Sequence, residues 1–488
     1  MSLCIGIDLG TTYSCVYAYD LIKNEIFCCK NKNNDNTTPS YVKVDDTNNI
    51  IIGKEAKEKA TNTTYYIMKR FIGKNYNDCI ADLKMCAFSY KNEDNELKIK
   101  YLNTFVNPED ISSVFLRELK KECESNLNYQ IKNCVITVPA YFNNTQRELT
   151  KQAGINAGLN VLQIINEPCA AAFAYKLENK KSGRIMIFDF GGGTLDISIL
   201  DITKEGMIVI NTEGDNHLGG EDIDVILVKK CLSDFIKQEN ITNKDEIINI
   251  CKNQLLIQKL RKECEKSKIL LTKEYGFNIY IENFYNHKSL NVHFNYDVFC
   301  SLVNDIINRC FNLVHKAINI NNNIKNTLTD IILIGGSTKL ELIKDTFTDW
   351  IKDTNITLHS EINPDESVAY GACLHCKNIM GKIDNILLDV TSHNLGIETL
   401  GGKFEVIIPK NTIKPCKFKK IFSTAYENQR SFVLNIYEGE NEYASKNKLI
   451  KTIKYYNLPP KNPGEIKFEI EFKYDENGVF SETIKRLE

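Results

Sequence analysis

Leu3-Cys4-Ile5-Gly6-Ile7-Asp8-Leu9-Gly10-Thr11-Thr12-Tyr13-Ser14-Cys15-Val16 decides the fold, because the chain repeats its grammar once more. It is an apolar strand ending in aspartate, a Gly/Thr turn, and a second apolar strand. Residues 184–200 follow the same plan. Ile185-Met186-Ile187-Phe188 leads into Asp189-Phe190-Gly191-Gly192-Gly193-Thr194-Leu195-Asp196, and Ile197-Ser198-Ile199-Leu200 follows. Each reads as a β-hairpin whose tight turn needs glycine for close backbone approach. A third strand, Asp330-Ile331-Ile332-Leu333-Ile334, runs into Gly335-Gly336-Ser337-Thr338 and then a helical pattern. Helical periods fill 109–126, 143–158, 167–178, 221–238, 252–272 and 296–319. Hairpins interleaved with helices predict α/β lobes, and the doubled hairpin predicts two related lobes facing each other.

Beyond about residue 381 the texture changes. Short strands are predicted at 395–399, 404–408, 417–424, 431–438, 448–455 and 466–474, separated by Gly401-Gly402, Asn411, Glu427-Asn428, Pro459-Pro460 and Asn477-Gly478. This part is predicted to be all-β. Between the two textures lies Asp384-Asn385-Ile386-Leu387-Leu388-Asp389-Val390, an apolar run bracketed by acids.

The 488 residues are too many for one ordinary core. Hydrophobic residues at 43% and charged residues at 25% are those of a globular protein. A net charge of −2 gives no basic surface for nucleic acid, and no apolar run reaches the ~20 residues that span a bilayer. The chain enters a strand at Leu3, which leaves no signal segment, and the expected location is cytoplasmic. Seventeen cysteines are odd in number and scattered through apolar segments, as reduced cysteines are. Cys373 and Cys376 have metal-ligand spacing, but no second pair matches them, so cysteines on a packed helix are expected.

Backbone N–H groups in Gly/Ser/Thr turns form concave nests for phosphate oxygens. One such turn is weak evidence; two at equivalent places, each entered through an aspartate, are strong. Asp8 and Asp189 would stand beside a hydrophobic core, which is costly without a partner. Magnesium and its waters supply one, since that ion takes few carboxylates and keeps water. Glu167, in Asn166-Glu167-Pro168, is a third acid of this kind.

Gly6 to Ser14, Val138-Pro139-Ala140-Tyr141-Phe142, Ile164-Ile165-Asn166-Glu167-Pro168, Phe188 to Thr194, His217-Leu218-Gly219-Gly220-Glu221-Asp222, Gly335 to Thr338 and Asn363-Pro364-Asp365-Glu366 resemble the signature blocks of the heat-shock protein 70 chaperones. They stand in that family's order, from residue 3 to about 480. The resemblance implies a two-lobed, actin-like α/β ATPase domain (1–381), an interdomain linker (382–391) and an all-β peptide-binding sandwich (392–488). Actin and the sugar kinases share the doubled lobe but not the β region.

The resemblance also implies roles. Gly10, Thr11, Thr12, Tyr13 and Gly191, Gly192, Gly193, Thr194 would cradle the phosphates of ATP or ADP. Asp8, Glu167, Asp189 and Asp196 would surround Mg²⁺, partly through water, and Lys69 would stabilise attack of water on the γ-phosphate, with Glu167, Asp189 and Thr194 sharing the catalysis. Glu265, Lys268, Thr272, Gly335, Gly336, Ser337, Thr338, Lys339 and Asp365 would face the nucleoside side. Pro139 and Arg147 match the family's switch pair, and Leu387, Leu388 and Asp389 its linker. Ile397, Leu400, Phe422, Ala425, Phe432 and Leu434 would line the groove for unfolded or nascent polypeptides. A J-domain co-chaperone and a nucleotide exchange factor are the implied partners.

Departures from the family qualify this. Ile269 and Lys339 stand where two arginines sandwich adenine, and arginine stacking contributes ~0.5–2 kcal/mol, so weaker nucleotide affinity is expected. Gln163, Cys169, Asn144 and Asn385 replace residues of the co-chaperone surface and linker, so stimulation is expected to be weak or altered. Phe432 replaces a valine in the central peptide pocket and should weaken client binding. The chain stops at Glu488, where a helical lid should follow and the last strand looks clipped, which implies faster peptide release. The alternative reading is a nucleotide-binding regulatory or partner subunit, for example ribosome-associated, with little ATPase or peptide-binding activity.

Overall fold

Each aspartate-ended hairpin seeds one sheet. In a computed structural model, the structure describes residues 3–179, 182–203, 206–271, 276–319, 324–360, 363–381, 386–388, 390–475 and 479–487. Strands β1 (Leu3–Asp8) and β2 (Tyr13–Asp20) pair antiparallel with Asp8 opposite Cys15. β3 (Glu25–Cys28) extends the meander, and β4 (Thr37–Pro39) pairs with the first residues of β2. β5 (Ile131–Val138) joins β1 in parallel and β6 (Asn160–Asn166) joins β5, giving the order β6-β5-β1-β2-β3.

The second sheet repeats this plan. β7 (Gly183–Phe190), β8 (Leu195–Ile202) and β9 (Gly206–Asp215) form the meander. β10 (Leu328–Ile334) runs parallel to β7, and β11 (Thr357–His359) parallel to β10. β12 (Ile386–Leu388), from the linker-like run, pairs in parallel with Gly206–Ile208 of β9 and closes that edge. Ile185 to Phe190 are all buried, which is why β7 reads as an unbroken apolar run.

Six helices matter for the site: α1 (Met68–Phe71), α2 (Asn144–Asn156), α3 (Glu167–Asn179), α4 (Gly220–Gln238), α5 (Gln254–Leu271) and α6 (Ser367–Gly381). The side chain of Asn143 caps α2, and Gln146 returns the bond in a capping box. α3 and α6 pack between the two sheets, in a core that joins Cys4 and Val135 of the first to Ile185 and Ile332 of the second. Small residues allow the close crossing. A Cβ on Gly371 would collide with the Ala170 carbonyl. Cys373 and Cys376 are buried on α6 within this core, as a packed helix requires.

The all-β part holds two antiparallel sheets. One has the order β14-β13-β16-β17, from β13 (Leu395–Thr399), β14 (Lys403–Ile408), β16 (Phe432–Glu438) and β17 (Lys448–Tyr455). The other is β15-β18-β19, from β15 (Cys416–Ser423), β18 (Lys467–Tyr474) and β19 (Phe480–Leu487). Leu395, Ile397, Leu434, Ile436, Ile470 and Phe472 form their shared core. β19 corrects the expected clipped strand: it pairs with β18 along its whole length, Tyr474↔Phe480 to Lys467↔Leu487. Its only apolar residues at alternate positions are Phe480 and Ile484, too few for a period of two to stand out. The hairpin Gly276–Tyr285/Lys288–Asn295 was also hidden, because its turn uses Asn286 and His287 at positive φ instead of glycine. The helical period at 252–272 is α5, and the helix Lys244–Lys252 just before it was not predicted. Among the described residues, no helix is long and apolar enough to cross a membrane.

Substituting Gly371→Val forces α3 and α6 apart, and overpacking of this kind costs about 1–3 kcal/mol. A clear fall in the urea midpoint is expected; an unchanged midpoint would show that the crossing does not depend on Gly371.

Candidate active site

A cleft of about 330 Å³ opens between the two sheets where the turns of their first hairpins face each other. Its lining includes Asp8, Gly10, Thr11, Thr12, Tyr13, Lys69, Glu167, Asp189, Gly191, Gly192, Gly193 and Thr194, so the predicted phosphate and catalytic residues converge. The turns nearly touch. A Cβ on Gly192 would strike the Thr12 hydroxyl, and one on Gly193 the Thr11 side chain. Glycine is required here for approach of one lobe to the other, beyond any demand of the turn itself.

Four carboxylates, Asp8, Glu167, Asp189 and Asp196, gather around the Lys69 ammonium. Lys69 donates to Glu167 at 2.5 Å, and both side chains are buried. Burial, then the charge of Glu167, pushes Asp8 up to about 7 and Asp196 up to about 7. The same two causes hold Asp189 well above the usual carboxylate range. The Lys69 ammonium is held above its ordinary value by Glu167 and Asp8, against its burial. One ammonium cannot neutralise four carboxylates, so the set calls for a hard cation. Among the described residues, no three His, Cys, Asp or Glu side chains are grouped to hold a metal ion. Asp196 stands one layer back from the lining; its Oδ1 accepts the Tyr141 backbone N–H at 2.9 Å.

The nucleoside side is lined by Glu265, Lys268, Ile269, Gly335, Gly336, Ser337, Lys339 and Asp365. Gly335 has φ +84, and a side chain there would strike the Phe190 carbonyl. Ser337 donates to the Gly191 carbonyl at 2.8 Å, and Thr338 donates to Gly335 from outside the lining. Lys339 is bound to Asp365 at 2.5 Å. Ile269 is half exposed. Thr272 lies outside the described residues, as do Asn385 and Asp389.

Sequence reasoning gave no role to several groups that build the cleft. Lys57 pairs with Glu265 at 2.6 Å, and Lys268 with Asp224 at 2.8 Å, where burial pushes Asp224 up to about 6. Thr12 donates to Glu221, which also pairs with Arg261. Arg70 bridges the lobes: it meets Asp82 at 3.0 Å, Asp222 at 2.7 Å and the Gly193 carbonyl at 3.0 Å. His217 sits between the same acids, 3.0 Å from Asp82 and 3.5 Å from Asp222. These two carboxylates push His217 up to about 9, while His217 and Arg70 overcome burial and hold Asp82 down at about 2. Glu221, Asp222 and His217 lay within a signature block; Arg70 and Asp82 carried no signal.

The loop from Pro139 to Asn143 is shared with the all-β part. Arg147 donates to the Phe142 and Ala140 carbonyls, both at 3.0 Å, and Ser392 donates to Ala140 at 2.6 Å. Asn144 donates to Glu438 and, at 2.6 Å, to the Tyr474 hydroxyl. Burial raises the Glu438 carboxyl, so an acid at position 144 would face another carboxylate. Gln163 pairs with His375 at 2.7 Å. Lys410 meets Glu213 at 2.5 Å.

A second cavity, about 680 Å³, lies in the all-β part and is lined by all six predicted groove residues: Ile397, Leu400, Phe422, Ala425, Phe432 and Leu434. The Phe432 ring in its lining stacks on Tyr455 at 5.4 Å and meets Phe468 edge-on at 4.6 Å.

The Hsp70 protein family profile matches residues 4–487. The chain is 37% identical over 498 residues to heat shock cognate 70 kDa protein 3 of Dictyostelium discoideum, covering 98% of this chain and 77% of that one. It is 38% identical over 501 residues to chaperone protein DnaK of Carsonella ruddii, covering 99% of this chain and 81% of that one. The chain belongs to the Hsp70 family of heat-shock chaperones, whose members are ATPases.

His217 has a folded pKa raised above its ordinary 6.5, so its contribution to stability is complete below 6.5 and is lost as pH rises through about 9. Wild type should exceed His217→Gln in urea midpoint by a constant margin at acid pH, shrinking between these values. A margin that grows with pH would refute the clasp.

Proposed function

We propose that this chain is an ATP-dependent molecular chaperone that hydrolyses ATP between its two lobes and couples the hydrolysis to binding and release of unfolded or nascent polypeptides. The observation that carries the reading is the cleft, where the Lys69–Glu167 pair, Asp8 and Asp189, with Asp196 behind them, stand beside two interlocked glycine–threonine turns. In this reading residues 1–381 are the ATPase domain, 382–391 the linker and 392–488 the peptide-binding sandwich.

Gly10 to Tyr13 and Gly191 to Thr194 bind the phosphates through backbone N–H groups and hydroxyls. Asp8, Glu167, Asp189 and Asp196 would hold a magnesium ion, which would supply charge neutralisation at the phosphates. Lys69, fixed by Glu167, places its ammonium where negative charge develops as water attacks the γ-phosphate. Glu265 and Lys268 take the ribose side, while Ile269 and the Asp365-bound Lys339 make a poorer adenine platform than two arginines. Asp196 touches the Tyr141 amide, and Ala140, next in the chain, accepts from Ser392, so the acid cluster and the β part share one loop. A J-domain co-chaperone and an exchange factor complete the cycle in this reading.

Lys69→Ala should slow single-turnover ATP hydrolysis by about 100-fold or more, the cost of removing one transition-state donor. Equal and negligible rates in both proteins would favour a regulatory subunit, a reading that the aromatic packing of Phe432 in the second cavity also favours.

Phe432→Val should strengthen binding of a labelled Leu-centred heptapeptide by about 1.5–3 kcal/mol, the gain from seating one apolar side chain. Unchanged affinity by fluorescence anisotropy would show that the aromatic cluster does not occupy the client pocket.

A further inference from the structure

We propose that Cys15 and Cys28 are a peroxide-sensitive thiol pair that closes to an intramolecular disulfide beside the acid cluster. The strand register carries the argument. β2 and β3 pair with Tyr17 opposite Cys28, so Cys15, two residues before Tyr17, is a diagonal neighbour of Cys28 on the same face of the sheet. Both thiols donate to one acceptor, the Asn36 carbonyl, Cys15 at 3.3 Å and Cys28 at 3.6 Å. Cys28 is the last residue of β3, and Cys15 is paired there with Thr37 of β4, so closing the disulfide requires the end of β3 to move toward Cys15. Other cysteine pairs sit in the interior: Cys29 with Cys123, and Cys4 with Cys376, are buried on both sides.

Exposure assigns the roles. Cys28 is partly exposed and Cys15 is buried. The Cys28 thiol attacks the O–O bond of hydrogen peroxide; its sulfur is oxidised to sulfenic acid, and water leaves. Cys15 then attacks that sulfur, the S–O bond breaks, and the hydroxide takes up the Cys15 proton as a second water. Two thiols and one peroxide thus give one disulfide and two waters. The neighbouring Cys15 thiol also holds the Cys28 thiol below its ordinary value, as an attacking group requires.

The disulfide reaches the nucleotide side through Asn36. Oxidation removes both protons bonded to its carbonyl. The Asn36 amide holds Glu366 at 2.9 Å, and Glu366 also accepts from Tyr17 at 2.5 Å. Asp365, the neighbour of Glu366, holds Lys339, and Pro364 accepts the Gly335 N–H at 3.3 Å. Cys15 itself stands opposite Asp8. Weaker nucleotide binding after oxidation is the consequence, and that part rests on the proposed ATP site; the disulfide does not.

The test treats the full chain with hydrogen peroxide, caps remaining thiols with iodoacetamide and maps tryptic peptides without reduction. The expected product joins the Cys15 and Cys28 peptides with the loss of two hydrogen masses, disappears with dithiothreitol, persists in Cys29→Ser and is lost in Cys28→Ser and Cys28→Ala. A link that survives both Cys28 variants, or Cys28 oxidised without a link, overturns the proposal. In parallel, binding of a fluorescent ATP analogue should fall several-fold on oxidation of wild type and Cys29→Ser and recover on reduction. Linkage with unchanged affinity would overturn the coupling. No binding in either redox state, with the link still formed, would instead count against the ATP site.

Discussion

Four carboxylates gathered around the Lys69 ammonium are the constraint on which the rest of this protein turns. Asp8 and Asp189 end the two central strands, Glu167 begins α3, and Asp196 faces Asp189 across the second hairpin. Each is placed by a different element, and none can leave the cleft without moving its strand or helix. Burial pushes Asp8, Asp189 and Asp196 upward because the charges repel one another and lack water. Such a site is unfavourable when empty of cations and favourable when a hydrated metal and a polyphosphate complete it. Binding free energy is thereby stored in the fold as electrostatic frustration between the lobes.

The lobes are kept at working distance by contacts outside that cluster. Arg70 and His217, threaded between Asp82 and Asp222, tie the first lobe to the start of α4, while Glu221 receives Thr12 and Arg261. The crossing of α3 over α6 forms the hinge side, where Gly371 and the alanines of α3 leave little between the helices but backbone. A clasp of charges on one side and a seam of small side chains on the other let the cleft be firm yet separable. The all-β part reads this geometry through residues 139–144, which Asp196 touches from one side and Ser392, Glu438 and Tyr474 from the other.

Much of this was legible in the sequence because it depends on backbone rules. The doubled hairpins were visible in Asp8 to Thr12 and Asp189 to Thr194, where glycine is forced by close approach, and most helices followed from their period. The strands of the all-β part were found within a residue or so, except β19, whose apolar side chains are sparse. Contacts between distant charged side chains were not legible. Lys57 with Glu265 and Arg70 with Asp82 join residues whose spacing obeys no period, and only folding brings them together. Asn144 shows a subtler limit. Against the family pattern it reads as a lost acid, yet its partner Glu438 is itself an acid, and the amide suits it better. Phe432 likewise reads as an obstruction until Tyr455 and Phe468 are seen to receive it.

The short strand β12 has a consequence for solubility. Its parallel pairing with Gly206–Ile208 covers the outer edge of the second sheet, the one side of β9 that β8 leaves open. An uncovered edge presents a row of unsatisfied amides and carbonyls to any passing strand. The segment is therefore a guard rail for that edge: without it, the second sheet would present a template for self-association.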